Sequence, residues 1–357
     1  EVYSFDASYT DQTLELLAFS EEISNQPTIT EFTKVDLTGG QEIEGAKMQI
    51  LDQEGKVVEE WVSKKEAHVV YALAPGEYIL HEEQVPTEQG YVRAEDVKFV
   101  VEETGDVQKV KMEDDHTKVS ISKTDITDGK EIEGAKLQIL DQDGEVVESW
   151  TTGEEHLIEY LPVGTYTLHE EAAVDGYIVA NDVEFTVEET GEIQKVKMED
   201  ERAMGQLVIV KTDADSKATL EGVEFVLLEK ETGKEVGRLK TGKDGKAVSE
   251  LLPIGTYENG VFKEPITYVL KETATLKGYE KTEEEWEIVF TYQNDKTPVI
   301  EVVKEIQNKK IPETPGTVKP GPKTGDDTNW FLPLLALGVS AGMVAGLLYY
   351  RKRHKKA

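Results

Sequence analysis

Hydrophobic and polar positions alternate in short runs along most of the chain, with a period of two and no sustained helical period. Val119-Ser120-Ile121-Ser122 is one such run. Turn sequences separate the runs: Asp52-Gln53-Glu54-Gly55, Asp141-Gln142-Asp143-Gly144 and Lys243-Asp244-Gly245. Leu161-Pro162-Val163-Gly164-Thr165-Tyr166 and Leu252-Pro253-Ile254-Gly255-Thr256-Tyr257 each lead from a turn into a further strand. About seven short strands in each stretch of roughly 85 residues predict an all-β chain of tandem immunoglobulin-like β-sandwich domains.

The pattern repeats at domain length. Glu44-Gly45-Ala46-Lys47 returns as Glu133-Gly134-Ala135-Lys136, and Val101-Glu102-Glu103-Thr104-Gly105 returns as Val187-Glu188-Glu189-Thr190-Gly191. These offsets of 89 and 86 residues mark whole domains, not solenoid units. A third, more divergent copy carries Glu221-Gly222-Val223-Glu224 in the first slot and an insertion around Glu258-Asn259-Gly260-Val261-Phe262. Domains are expected at 29–115, 116–201 and 202–310, with 1–28 as the tail of a truncated upstream copy. Asp115 to Lys118 and Glu201 to Gly205 read as short polar linkers, so the array is expected to be elongated with limited bending.

In every copy a charged residue falls on the inward phase of a strand. Val119 and Ile121 point inward, so Lys123 does too; Leu207 and Ile209 lead to Lys211, and Phe32 leads to Lys34. In the strand after the Gly-Thr-Tyr turn, Tyr166 and Leu168 lead to Glu170, and the equivalents are Glu82 and Glu272. In the last strand Val196 and Met198 precede Asp200, Val110 and Met112 precede Asp114, and Ile306 precedes Asn308. Asp115 adjoins Asp114 and is an alternative in the first copy. Three strand-end polar groups reaching solvent would be the bland explanation, but the same three types recur at the same phase three times. Burial lowers a lysine pKa and raises a carboxyl pKa. A neutral amine is a nucleophile, and a protonated Glu can polarise a neighbouring carbonyl. Lysine held against Asp or Asn would then form an intramolecular isopeptide bond, releasing water or ammonia, with Glu82, Glu170 and Glu272 as proton shuttles. Asn25 stands nine residues before Lys34, as Asp114 stands nine before Lys123, and reads as the acceptor of the upstream copy.

The C-terminus differs in kind. Trp330 to Tyr350 is uncharged and would span about 30 Å as a helix, one hydrocarbon core. Arg351, Lys352, Arg353, Lys355 and Lys356 follow, which places the bulk of the chain outside the cell. Before the span, residues 311–324 form a Pro/Gly-rich spacer. An ordinary single-pass anchor would share the span and the basic tail.

Charge and composition narrow the function further. Lys and Arg number 39 against 72 Asp and Glu, a net charge of −33 that would repel nucleic-acid phosphates. The absence of Cys removes disulfides, thiol catalysis and thiolate metal sites. The six His form no metal-ligand spacing, and no catalytic constellation, cofactor motif or metal site is expected. Residue 1 is Glu with no charged start and apolar run behind it, so a processed or partial chain is expected, with any signal peptide outside it.

Two resemblances add to this reading. The repeats resemble Cna-B-type domains (SpaA-like, prealbumin-like) of Gram-positive adhesins and pilins. Their Lys-x-Asp pattern is matched by Lys34-Val35-Asp36, Lys123-Thr124-Asp125 and Lys211-Thr212-Asp213. Their YxLxET box and following Gly-Tyr are matched by Tyr78 to Glu82 with Gly90-Tyr91, Tyr166 to Glu170 with Gly176-Tyr177, and Tyr268 to Thr273 with Gly278-Tyr279. Glu83 and Glu171 stand where the box has Thr. The resemblance implies bond-forming sets Lys34/Glu82/Asp114, Lys123/Glu170/Asp200 and Lys211/Glu272/Asn308. Gly321-Pro322-Lys323-Thr324-Gly325, the apolar span and the basic tail together resemble the LPxTG cell-wall sorting signal, with Gly321 in the place of Leu. That implies cleavage by a sortase after Thr324, attachment to peptidoglycan and only transient membrane anchoring through 330–350. A wall-anchored adhesin or stalk is therefore expected, with host matrix or other surface subunits as further partners. A sortase-polymerised pilin subunit, or the stalk of a wall-bound enzyme with its catalytic domain upstream, are the alternatives.

Overall fold

The structure, a computed structural model, describes residues 26–312. The first domain consists of β1 (Ile29–Asp36), β2 (Lys47–Leu51), β3 (Val57–Val62), β4 (His68–Tyr71), β5 (Gly76–Gln84), β6 (Tyr91–Val92), β7 (Val97–Val101) and β8 (Val107–His116). The second repeats it with β9 (Lys118–Asp125), β10 (Lys136–Leu140), β11 (Val146–Thr151), β12 (His156–Glu159), β13 (Gly164–Ala172), β14 (Tyr177–Ile178), β15 (Val183–Val187) and β16 (Ile193–Arg202). The third has β17 (Met204–Asp213), β18 (Glu224–Glu229), β19 (Glu235–Lys240), β20 (Lys246–Val248), β21 (Leu252–Pro253), β22 (Gly255–Glu258), β23 (Val261–Pro265), β24 (Thr267–Ala274), β25 (Glu285–Val289) and β26 (Val299–Asn308).

Each domain is a two-sheet sandwich. In the first, β4-β1-β8-β6 faces β3-β2-β5-β7; in the second, β12-β9-β16-β14 faces β11-β10-β13-β15. In the third, β20-β17-β21 with β26 beside β17 faces β19-β18-β24-β25. Period-two alternation puts one face of each strand inside, so each sandwich has its own apolar core. Phe32, Met48, Ile50, Leu80 and Met112 build the first; Leu137, Ile139, Leu168 and Met198 the second; Leu207, Ile209, Phe225, Leu270 and Ile288 the third. The insertion noted in the third copy is the β22–β23 hairpin.

The first and last strands of each domain lie side by side and parallel. β1 pairs β8 from Ile29↔Val107 to Asp36↔Asp114, β9 pairs β16 from Lys118↔Ile193 to Asp125↔Asp200, and β17 pairs β26 from Met204↔Val299 to Asp213↔Asn308. A parallel neighbour puts residue n+2 of one strand within diagonal reach of residue n on the other.

The expected polar linkers are not there. Strand continues through them, leaving only Thr117 between β8 and β9 and only Ala203 between β16 and β17, both fully buried. The charges that suggested solvated linkers belong to paired strand ends: Asp115 bonds Lys118, and Arg202 bonds Asp125. The joints are packed. Tyr160 of the second domain stacks on His116 at 3.9 Å and donates to Asp36 Oδ2 of the first at 2.7 Å. Tyr257, on the inserted hairpin, donates to Gly176 O at 2.8 Å and lies under the Arg202 guanidinium at 4.1 Å.

Among the described residues no helix is long and apolar enough to cross a membrane. The span 330–350, the motif Gly321 to Gly325 and Asn25 lie outside the described residues.

Candidate functional site

Each lysine sits near the C-terminal end of its domain's first strand, on the inward phase two residues after a buried apolar side chain, Phe32, Ile121 or Ile209. Lys34, Lys123 and Lys211 are all buried, the last completely. Parallel register brings Lys34 opposite Met112, Lys123 opposite Met198 and Lys211 opposite Ile306. The next inward residue on the partner strand is Asp114, Asp200 or Asn308, and the lysine side chain runs along the sheet to it. Lys34 Nζ bonds Asp114 Oδ1, Lys123 Nζ bonds Asp200 Oδ1, and Lys211 Nζ bonds Asn308 Oδ1, all in close contact. The facing sheet supplies the third member. Glu82, Glu170 and Glu272 approach the three Nζ atoms at 3.0, 3.0 and 2.9 Å. The Ala94 N–H (3.1 Å) and the Ala180 N–H (2.6 Å) donate to Glu82 and Glu170, fixing those carboxylates.

Thus all nine residues singled out by inward phase meet, three to a domain. Asp115, the alternative in the first copy, is on the outward phase and is held by Lys118 and the His116 N–H. Glu83, Glu171 and Thr273 are exposed, so the Thr-to-Glu departures face solvent.

Burial sets the electrostatics. It pushes the Asp114 and Asp200 carboxyls up to about 7; the neighbouring lysine opposes the shift and the neighbouring Glu adds to it. It pushes the Lys211 amine down, with Glu272 opposing. Asp114 Oδ2 and Asp200 Oδ2 are buried without a hydrogen-bond partner among the described residues. Glu82 Oε1 and Glu170 Oε1 are buried in the same way, and a proton shared within each Asp–Glu carboxyl pair satisfies both oxygens, in keeping with the raised Asp carboxyls. In the third domain the corresponding atom is Asn308 Nδ2, which donates to Glu272 Oε1 and Thr275 Oγ1, both at 2.7 Å.

A second constellation surrounds the Asp of each Lys-x-Asp. Asp36, Asp125 and Asp213 are buried and accept from the turn N–H groups that follow: Thr38 and Gly39, Thr127, and Asp215 and Ser216. The Gly-Tyr tyrosines close two of them, Tyr177 on Asp125 and Tyr279 on Asp213, both at 2.8 Å. This aspartate is a turn anchor, not a bond partner. Inward phase also missed Glu42 and Glu131, whose carboxylates accept from the backbone N–H of Lys34 and Lys123. Their common spacing, eight residues after the lysine, was the available signal. Among the described residues no group of three or more His, Asp or Glu is placed to hold a metal ion.

A family model described as SpaA, a prealbumin-like fold domain, matches residues 28–116, 117–202 and 205–265. The third match stops where the β22–β23 hairpin ends. No curated protein sequence matches the chain. Among solved structures, the Bacillus anthracis TIE protein is similar at a TM-score of 0.54 and 28% identity, over 80% of this chain and 51% of that one. The chain therefore spans about half the length of that protein. The major pilin subunit of Bacillus cereus aligns at a TM-score of 0.45 and 15% identity, over 80% of this chain and 100% of that one.

Proposed function

The chain belongs to the SpaA family of prealbumin-like fold domains, and from that premise we propose that it is a wall-anchored surface stalk whose domains staple themselves with isopeptide bonds. One observation carries the reading: in each domain a buried lysine amine touches an acceptor carbonyl whose other substituent is the group that bond formation would expel. In the first two domains that substituent is Oδ2 of a carboxyl that shares a hydrogen bond with the neighbouring Glu, and in the third it is the Asn308 amide, already donating to Glu272.

The chemistry balances within each cluster. In the first two domains Lys, Glu and Asp share two protons. Moved so that Lys is neutral while Asp and Glu are protonated, the amine attacks the carboxyl carbon. Glu hydrogen-bonds the carbonyl oxygen and relays the amine's proton to the departing hydroxyl, which leaves as water. In the third domain one proton suffices: Glu272 takes it from Lys211 and passes it to the departing amide of Asn308, which leaves as ammonia, and then takes up the second amine proton and ends protonated. Burial favours the neutral forms that react, and the apolar core excludes competing water. Each protein molecule reacts once, so this is maturation and not turnover.

The bond gives the stalk its mechanical property. The chain enters each domain at the start of the first strand and leaves from the end of the last, which lies parallel to it. A lysine-to-acceptor link carries tension directly between those strands, bypassing 80, 77 and 97 residues of sequence separation. Sortase cleavage after Thr324 and transfer to peptidoglycan would fix the far end, leaving residues 1–324 outside the cell as a platform for host matrix or other surface subunits. Wall fragments released by muramidase test the attachment. The expected C-terminal peptide ends at Thr324 and is joined to a wall stem; a wall-extracted chain retaining Arg351 to Ala357 would overturn it.

A further inference from the structure

Lys34 and Lys123 present their backbone groups to the open edge of the sheet. The antiparallel neighbours end just short of them: β4 pairs β1 only as far as Phe32↔His68, and β12 pairs β9 only as far as Ile121↔His156. The carbonyls are taken up by Ile43 N–H at 2.7 Å and Ile132 N–H at 2.8 Å. The lysine N–H groups would be left without a strand partner, and buried backbone donors are almost always paired. Side chains fill the gap. Glu42 Oε2 accepts from Lys34 N–H at 3.0 Å, and Glu131 Oε2 from Lys123 N–H at 3.1 Å. The other oxygen of Glu131 takes the Ser122 hydroxyl, so that carboxylate grips two consecutive residues.

The third domain solves the same problem differently. Thr219 stands in the position of Glu42 and Glu131, in the same bridge to the first strand. Lys211 N–H donates instead to Gly245 O at 2.8 Å. That carbonyl arrives because the preceding loop is longer. Three residues, Gly153 to Glu155, lie between Thr152 and His156 in the second domain, and five, Gly242 to Lys246, between Thr241 and Ala247 in the third. Gly245 has φ +70°, and a Cβ there would run into Lys211 O, so glycine is required for the loop to close on the lysine.

We propose that Glu42 and Glu131 are positioning residues for bond formation: each holds the backbone of the reactive lysine so that Nζ meets the acceptor, a task that the Gly245 carbonyl performs in the third domain. The inference rests on the self-stapling reading. A displacement of the attacking atom by about 1 Å can slow a reaction by up to about 10²-fold, so a released lysine backbone should register in the rate of bonding.

The test follows cross-linking during cell-free synthesis of the full chain. Samples are quenched in acid at intervals and digested, and the Lys123–Asp200 and Lys211–Asn308 linked peptides are quantified by mass spectrometry, the latter as an internal clock. Glu131→Ala is expected to slow the second-domain link by about tenfold or more against that clock, on the same positional argument. Glu131→Gln, which keeps an oxygen acceptor for the N–H, is expected to stay near the wild-type rate. Glu42→Ala should delay the Lys34–Asp114 link alone, and it serves as the second site should Glu131→Ala fail to fold. Unchanged rates in both alanine variants would overturn the inference, as would a Glu131→Gln as slow as Glu131→Ala. A merely structural cap would lower the melting temperature in a never-bonded Glu170→Ala background and leave the rate alone, which also overturns it. If wild-type chains form no link in any domain, the self-stapling reading itself fails, a result distinct from links that form and ignore Glu131.

Discussion

At the scale of single residues, the decisive property of Lys123, Glu170 and Asp200 is that three ionisable side chains share one dry site. Removing any one leaves the others buried without their partner, which is why such clusters are costly unless something permanent is made from them. Glu170→Ala is expected to leave the second domain folded but unlinked, adding one water back to the mass. Loss of a loop closure of this length removes about 4–5 kcal/mol in the chain-entropy model, a drop in that domain's melting temperature of roughly 20 °C or more. Differential scanning calorimetry beside intact mass checks both. Lys123→Ala should give the same unlinked domain. The raised Asp carboxyls give a pH signature. In the proposed chemistry the second-domain cluster reacts from a state holding two protons, and above about 7 Asp200 releases one of them. Its bonding rate should therefore fall as pH rises past about 7. The third domain has an amide acceptor and no such proton to lose, so its rate should lack that alkaline limb. Rates measured across pH 5 to 9, about two units on either side of the shifted carboxyl, separate the two; identical profiles would contradict the assignment of protons.

At the scale of elements, inward phase was enough to find the nine clustered residues because a strand offers only two faces, and the apolar residue two positions before settles which face the next one shares. The same logic failed at the joints. Asp115, Lys118 and Arg202 looked like linker residues because charge suggests solvent, but they are paired strand ends, Asp115 with Lys118 across the first joint and Arg202 with Asp125 inside the second domain, while Thr117 and Ala203 carry the buried connection. Pairing across strands distant in sequence is not written in local pattern, and the parallel neighbour of the first strand was likewise beyond it. The hairpin β22–β23 was legible only as extra residues; its use, seating Tyr257 on Gly176, appears only once two domains are side by side. The joints should therefore be stiffened by specific side chains. Tyr160→Ala removes the hydroxyl bond to Asp36 and the stack on His116. It is expected to destabilise the first domain by about 1–3 kcal/mol, and to increase motion between the first two domains. Residual dipolar couplings measured on the two-domain segment would show it; unchanged alignment of the two domains would contradict the joint described here.

At the scale of the molecule, three sandwiches in series, without a cysteine in the sequence, make a stalk only if each resists unfolding under load. Hydrogen bonds between parallel strands share shear along their length, but a covalent link at the lysine keeps the strands from sliding at all. Single-molecule pulling should show the linked wild-type domains extending very little, and Glu170→Ala should add one unfolding step whose contour length matches the second domain. The most direct measurement is simpler. Intact mass of purified residues 28–311 is expected to fall short of the sequence by two waters and one ammonia, the waters from Lys34–Asp114 and Lys123–Asp200, the ammonia from Lys211–Asn308. A mass equal to the unmodified sequence would show that the nine buried side chains are only an ion-paired core, and the self-stapled stalk would be wrong.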